Sequence, residues 1–138
     1  MQHTAQIIYL LFLMFTQADA SAAPSELSSF KWSNRVVVVN EIAKVDAILA
    51  LFEENKSRIN DRDIIWLVFK GNRTFTNFSG SLPNSLIDSV KNRYKMGIGT
   101  VILIGKDGGL KASFDHLDLE TIFSKIDAMP MRQGEMRE

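Results

Sequence analysis

Three unbroken apolar runs of strand length set the strongest limit on how this chain can fold: RVVVV (35–39), IIWLVF (64–69) and TVILIG (100–105). A strand with one wet face alternates apolar and polar residues, whereas a continuous run rich in β-branched residues suits a strand buried on both faces. Such strands need helices above and below them. The intervening sequence supplies those helices: Val45, Ile48, Leu49 and Phe52 recur at i, i+3, i+4, i+7, and Leu86, Ile87, Val90 and Tyr94 trace a second stripe. Ser81 or Asn84, around Pro83, is the expected cap of that second helix.

The segment GNRTFTNFSGSLP (71–83) reads as a loop rich in turn residues, with Phe75 and Phe78 expected to cap the core. KDGG (106–109) between TVILIG and LKASF is a hairpin signal, because the tight turn needs positive φ values that glycine tolerates. Asp118 is a good N-cap for a last helix, with Leu117 placed to staple against Ile122 and a buried stripe of Leu119, Ile122, Phe123, Ile126 and Met129. Pro130 is expected to stop that helix, leaving MRQGEMRE (131–138) as a polar tail. The order is βαβαββα. Parallel strands joined by helical crossovers and closed by an antiparallel hairpin predict an α/β domain with a four-stranded mixed central sheet flanked by helices, the thioredoxin-like topology.

Length, charge and cysteine count narrow the function. The 138 residues make one domain able to bury a core, and a formal net charge of zero without a basic run argues against a nucleic-acid partner. IIYLLFLMF (7–15), followed by Ala18 and Ala20 in A-x-A spacing, reads as a secretory signal over residues 1–20, with the domain over 21–138. That apolar run is far short of the roughly 20 residues a membrane-crossing helix needs, so no transmembrane anchor is expected after cleavage. The chain has no cysteine, which removes thiol redox chemistry and thiolate metal sites. Secretion without disulfides fits a periplasmic location best. The sequons at Asn55, Asn72 and Asn77 are read as chance triplets.

Four segments, FKWSNRVVVV (30–39), Arg62 with Asp63, LIGKDGGLK (103–111) and IDAMPMRQGEM (126–136), together resemble a family of small secreted bacterial proteins known only as a domain of unknown function. That family is similar to the peroxiredoxin-like domain of the sushi-repeat extracellular matrix proteins and equarin. The resemblance covers nearly all of the chain after the leader and implies a thioredoxin-like fold, secretion and no established activity. In the family a basic residue commonly follows a few positions after GKDGGxK, whereas this chain has Ala112 and Ser113.

By analogy with thioredoxins, a redox pair sits near residues 40–43, where a helix start lowers a thiol pKa. Here those residues are Asn40, Glu41, Ile42 and Ala43, and the stretch GIGT puts Gly99 where thioredoxins place a cis-proline. Both halves of a thiol site are missing. His116, between Asp115 and Leu117, could be imagined in a Ser-His-Asp site or a metal cluster, but a turn capped by Asp118 with an exposed histidine accounts for FDHLDLE more simply. No metal or cofactor is expected. GKDGG joins two strands and does not lead into a helix, so it is not a phosphate loop.

The remaining candidates are charged or adaptable side chains: Arg62, Asp63, Lys106, Asp107, Met131 and Arg132 as an interaction patch. Met129, Met131 and Met136 flank arginines, a combination found at adaptable interfaces, although the tail could equally fold back on the sheet. The first expectation is a non-redox thioredoxin-like module binding a protein or small ligand in the cell envelope. The second is an enzyme of non-thiol chemistry using Glu41, Arg62 or His116. The third is a self-associating scaffold.

Overall fold

The computed structural model describes residues 27–138, so the leader expected over 1–20 and the start of the domain lie outside the described residues. A short 3-10 turn, Leu27–Phe30, precedes strand β1, Arg35–Asn40. Helices α1, Val45–Glu54, and α2, Lys56–Asp61, lead to β2, Ile64–Lys70, and β3, Arg73–Thr76. Helix α3, Leu86–Tyr94, then leads to β4, Val101–Ile104, and β5, Leu110–Phe114, and the chain finishes in α4, Leu119–Asp127, and α5, Pro130–Met136.

The strands form one sheet in the order β3-β2-β1-β4-β5. β1 lies at its centre, parallel to β2 and antiparallel to β4. Its valines divide between the two faces as a doubly buried strand requires. Val37 and Val39 join Phe52, Ile59, Ile122, Phe123 and Ile126 in one core, under α1, α2 and α4. Val36 and Val38 join Phe30, Leu86, Ile87, Val90 and Met96 in the other, under α3 and the 3-10 turn. Each fully buried valine contributes about 1.5–3 kcal/mol, an upper estimate because the unfolded chain already hides some apolar surface.

The thioredoxin-like class is that expected, but the sheet has a fifth strand. GNRTFTNFSGSLP is not wholly a loop: Gly71 and Asn72 make a two-residue turn, with Gly71 at φ +59°, and Arg73 pairs with Lys70 across a β2–β3 hairpin. This reversal also changes a direction. Because β3 runs back along β2 before α3 begins, the second helical crossover joins β3 to β4, and β4 enters antiparallel to β1 rather than parallel to it. Phe75 and Phe78 do cap the core, Phe75 on one face and Phe78 edge-on to Phe30 at 5.0 Å on the other.

The KDGG hairpin forms as read: the Gly105 N–H donates to the Gly109 carbonyl at 2.9 Å, and Gly108 takes φ +82°. At α4 the Thr121 N–H donates to the Asp118 carboxylate at 3.1 Å, which makes Asp118 the cap. Helix α3 departs from expectation. Its N-cap is Ser85, without a side-chain capping bond, and neither Ser81 nor Asn84 takes that place. Pro130 ends nothing by itself. It occupies the first turn of α5, where a missing N–H costs no hydrogen bond, so the expected polar tail is a helix that folds back on the domain.

Candidate functional site

The expected chemistry falls at two opposite ends of the central strand. At the C-terminal end of β1, Asn40 and Gly99 meet: the Gly99 N–H donates to the Asn40 carbonyl at 2.6 Å, and the Asn40 N–H donates to Thr100 at 3.0 Å. Asn40 is 5% exposed, and its side-chain amide donates to the Met96 carbonyl at 3.1 Å. Asn40 is therefore a structural tie between β1 and the chain entering β4. The corner differs from expectation in one respect. Helix α1 starts only at Val45, so residues 41–44 form an irregular bend, and Asn40 does not face a helix start.

A cleft of about 380 Å³ opens beside this corner. Val39 and Val101 form part of its apolar floor with Ile48, Leu51 and Leu117, while Glu41, Lys44, Asp115 and His116 bring charge to it. Glu41 and His116, proposed separately from sequence, thus face one cavity; Arg62 is absent from it. The Glu41 carboxylate accepts from the Ile42 N–H at 2.9 Å. His116 Nδ1 lies 2.6 Å from Asp115 Oδ1, and this contact holds the Asp115 carboxyl below its usual range. Both side chains are largely exposed, at 75% and 94%. Ile42 and Ile98, each next to a cleft residue in sequence, are 50% and 69% exposed.

At the other end of β1 the charged candidates converge. Arg62 grips Asp127 through Nε at 3.1 Å and Nη2 at 2.8 Å. Arg132, 4% exposed, donates to Asp127 at 3.0 Å and to the Asp61 carboxylate at 2.6 Å. Lys106 donates to Asp63 at 2.9 Å and to Glu135 at 2.6 Å. Arg35, 1% exposed, holds both oxygens of Glu135 at 3.1 and 3.2 Å. Four of the six expected interaction residues therefore belong to one network. Asp107 sits apart, 2.7 Å from Lys111 within the hairpin, and Met131 is exposed on α5.

Sequence reasoning missed Arg35, Asp61, Asp127 and Glu135. Arg35 opens the valine run and could have been noticed as a charge leading a buried strand; its partner is 100 positions away. The electrostatics match a clasp more than a catalytic site. Burial alone would drive Lys106 toward neutrality, but its hydrogen bonds to Asp63 and Glu135 outweigh this and raise its pKa. Burial likewise opposes the ionised Glu135, yet Lys106 and Arg35 bring its pKa below the usual glutamate value. Arg62, then Arg132, lowers that of Asp127. Among the described residues no cluster of His, Cys, Asp or Glu could hold a metal ion, and no helix is long and apolar enough to cross a membrane. Two sequon amides are engaged by their own fold: Asn55 donates to the Leu51 carbonyl and Asn77 to that of Ile64.

This architecture, a mixed sheet flanked by helices, defines a thioredoxin-like fold. It is similar to the mitochondrial 2-Cys peroxiredoxin of Plasmodium falciparum, at 12% identity and a TM-score of 0.55 over 74% of this chain and 79% of that one. It is similar also to the reduced 2-Cys peroxiredoxin of Plasmodium vivax, at 13% identity and a TM-score of 0.55 over 78% and 84% of the two chains. Identities this low establish shared fold alone, and this chain has no cysteine. The chain belongs to the family described as Domain of unknown function (DUF4174), whose pattern matches residues 26–135. A search of the curated proteins found no match.

Proposed function

We propose that the protein is a non-redox binding module of the cell envelope, secreted to the periplasm, that holds a segment of a partner protein in the corner cleft. The observation that carries this reading is the corner itself: where a thiol would act, a buried asparagine ties the backbone, and beside it lies an apolar cleft flanked by exposed Ile42 and Ile98. An apolar side chain of the partner fills the cleft, and the two isoleucines supply the surrounding contact. The resemblance of the segments around GKDGG and IDAMPMRQ to a family of small secreted bacterial proteins supports a role outside the cytoplasm.

A photoreactive side chain in place of Ile98 tests this in envelope preparations. The expected result is one discrete adduct that disappears when Ala47→Trp fills the cleft and is absent when the label replaces Lys125. An adduct insensitive to Ala47→Trp, or no adduct from position 98, refutes it.

A second reading, an enzyme of non-thiol chemistry, draws on the convergence of Glu41 and His116 upon one cavity. It requires a hydrolytic turnover that falls in Glu41→Gln and in His116→Ala. Turnover unchanged in both variants ends it.

A further inference from the structure

The second cavity, at the opposite end of the sheet from the corner, has the chemistry of a different ligand. It measures about 330 Å³ and is walled by the cations Arg35, Lys106 and Lys111 against the single carboxylate Asp107. Met129, Pro130 and Met131 give it an apolar side. The acids Glu135 and Asp63 hold Arg35 and Lys106 from outside the wall, and Asp107 holds Lys111 within it; an ammonium has three N–H donors, so Lys106 and Lys111 each keep at least one free for an entering acceptor.

Two further features mark it as built. Among the described residues Arg35 Nε is the buried side-chain donor without a hydrogen-bond partner, in a guanidinium whose other nitrogens are bound to Glu135 and to the Arg62 carbonyl. A buried unpaired donor is a standing cost that an entering acceptor relieves. Gly105 leaves the lysine its place: a Cβ there would fall 2.5 Å from Lys111 Cε and move the arm from its position beside Asp107.

We propose that this cavity binds a small amphiphilic monocarboxylate, its carboxylate accepting from Arg35 Nε and the ammonium groups of Lys106 and Lys111, and its apolar chain lying against Met129, Pro130 and Met131. A planar carboxylate suits a guanidinium that already holds one in Glu135. Methionine side chains rearrange at little cost, so the apolar side can adapt to the bound chain. Since a cavity of about 150 Å³ holds benzene, this one takes on the order of ten heavy atoms. The site stands apart from the corner cleft, and neither reading depends on the other.

Titration of the chain with octanoate, 1-octanol and inorganic phosphate, followed by NMR of the Arg35 Nε–H and the methionine methyl groups, tests it. Octanoate is expected to shift the Arg35, Met129 and Met131 signals saturably, with the neutral alcohol and phosphate each binding at least about ten-fold more weakly. Lys111→Met, which keeps the stem and removes the charge, is expected to weaken octanoate about ten-fold with an unchanged unfolding midpoint. Met131→Asp, on an exposed position, places a carboxylate beside the cavity and is expected to weaken it further. Octanol equal to octanoate, phosphate equal to octanoate, unmoved Arg35 and Met131 signals, or full affinity in Lys111→Met each overturns the assignment.

Discussion

Arg132 shows how much one side chain can join. It is buried, and through one guanidinium it binds Asp127 on α4, Asp61 on α2 and, at 3.6 Å, Glu135 on its own helix. Arg132→Gln is expected to cost about 2 kcal/mol in urea unfolding; the carboxylates left behind are partly exposed and rehydrate, which keeps the loss below that of a fully buried pair. Asn40→Ala is expected to cost about 1–2 kcal/mol by the same measurement, because the Met96 carbonyl loses its side-chain donor in a buried place. Residue-level reading of the sequence found Arg62, Asp63, Lys106 and Arg132 as charges worth watching. It could not find what they touch, since their acidic partners lie up to 71 positions away and carry no local signature.

Local chemistry decides the elements where it is strong. The doubly buried valine strand, the Asp118 cap and the KDGG turn were all legible because each is specified within a few residues. Strand β3 escaped because RTFT is short and sits among turn residues, although Gly71-Asn72 between Lys70 and Arg73 is itself a hairpin signal. Helix α5 escaped because its stability comes from docking, which periodicity does not report. Helix α3 ends at Lys95 in a left-handed conformation, φ 52°. Lys95→Gly is expected to raise stability by about 0.5 kcal/mol, and the unfolding midpoint by a few degrees in calorimetry. The docking of α5 is expected to depend on acid. Asp127 and Glu135 have folded pKa values below their ordinary ones, so their contribution is complete above the unfolded values and drains away as pH falls below about 4 through the lowered folded values. Hydrogen exchange of α5 amides should accelerate across that range before the core amides of β1 respond; simultaneous loss would show that α5 has no independent opening.

For the whole molecule, the corner after β1 is an irregular bend, and helix α1 begins only at Val45. A thiol introduced at residue 40 is therefore expected to be inert. Asn40→Cys with Ala43→Cys should reduce no insulin disulfide, and the cysteine at 40 should alkylate far more slowly than one placed at exposed Ser113, because the site is 5% exposed and α1 begins only at Val45. Rapid alkylation at 40 would mean the corner opens in solution.

The Glu135 carboxylate that closes on Arg35 also makes the far end of the chain felt at its first strand. A chain that stops ahead of that glutamate is expected to have all five strands yet leave Arg35 and Lys106 without their shared counter-charge, a defect at the start of β1, a hundred positions upstream of the missing group.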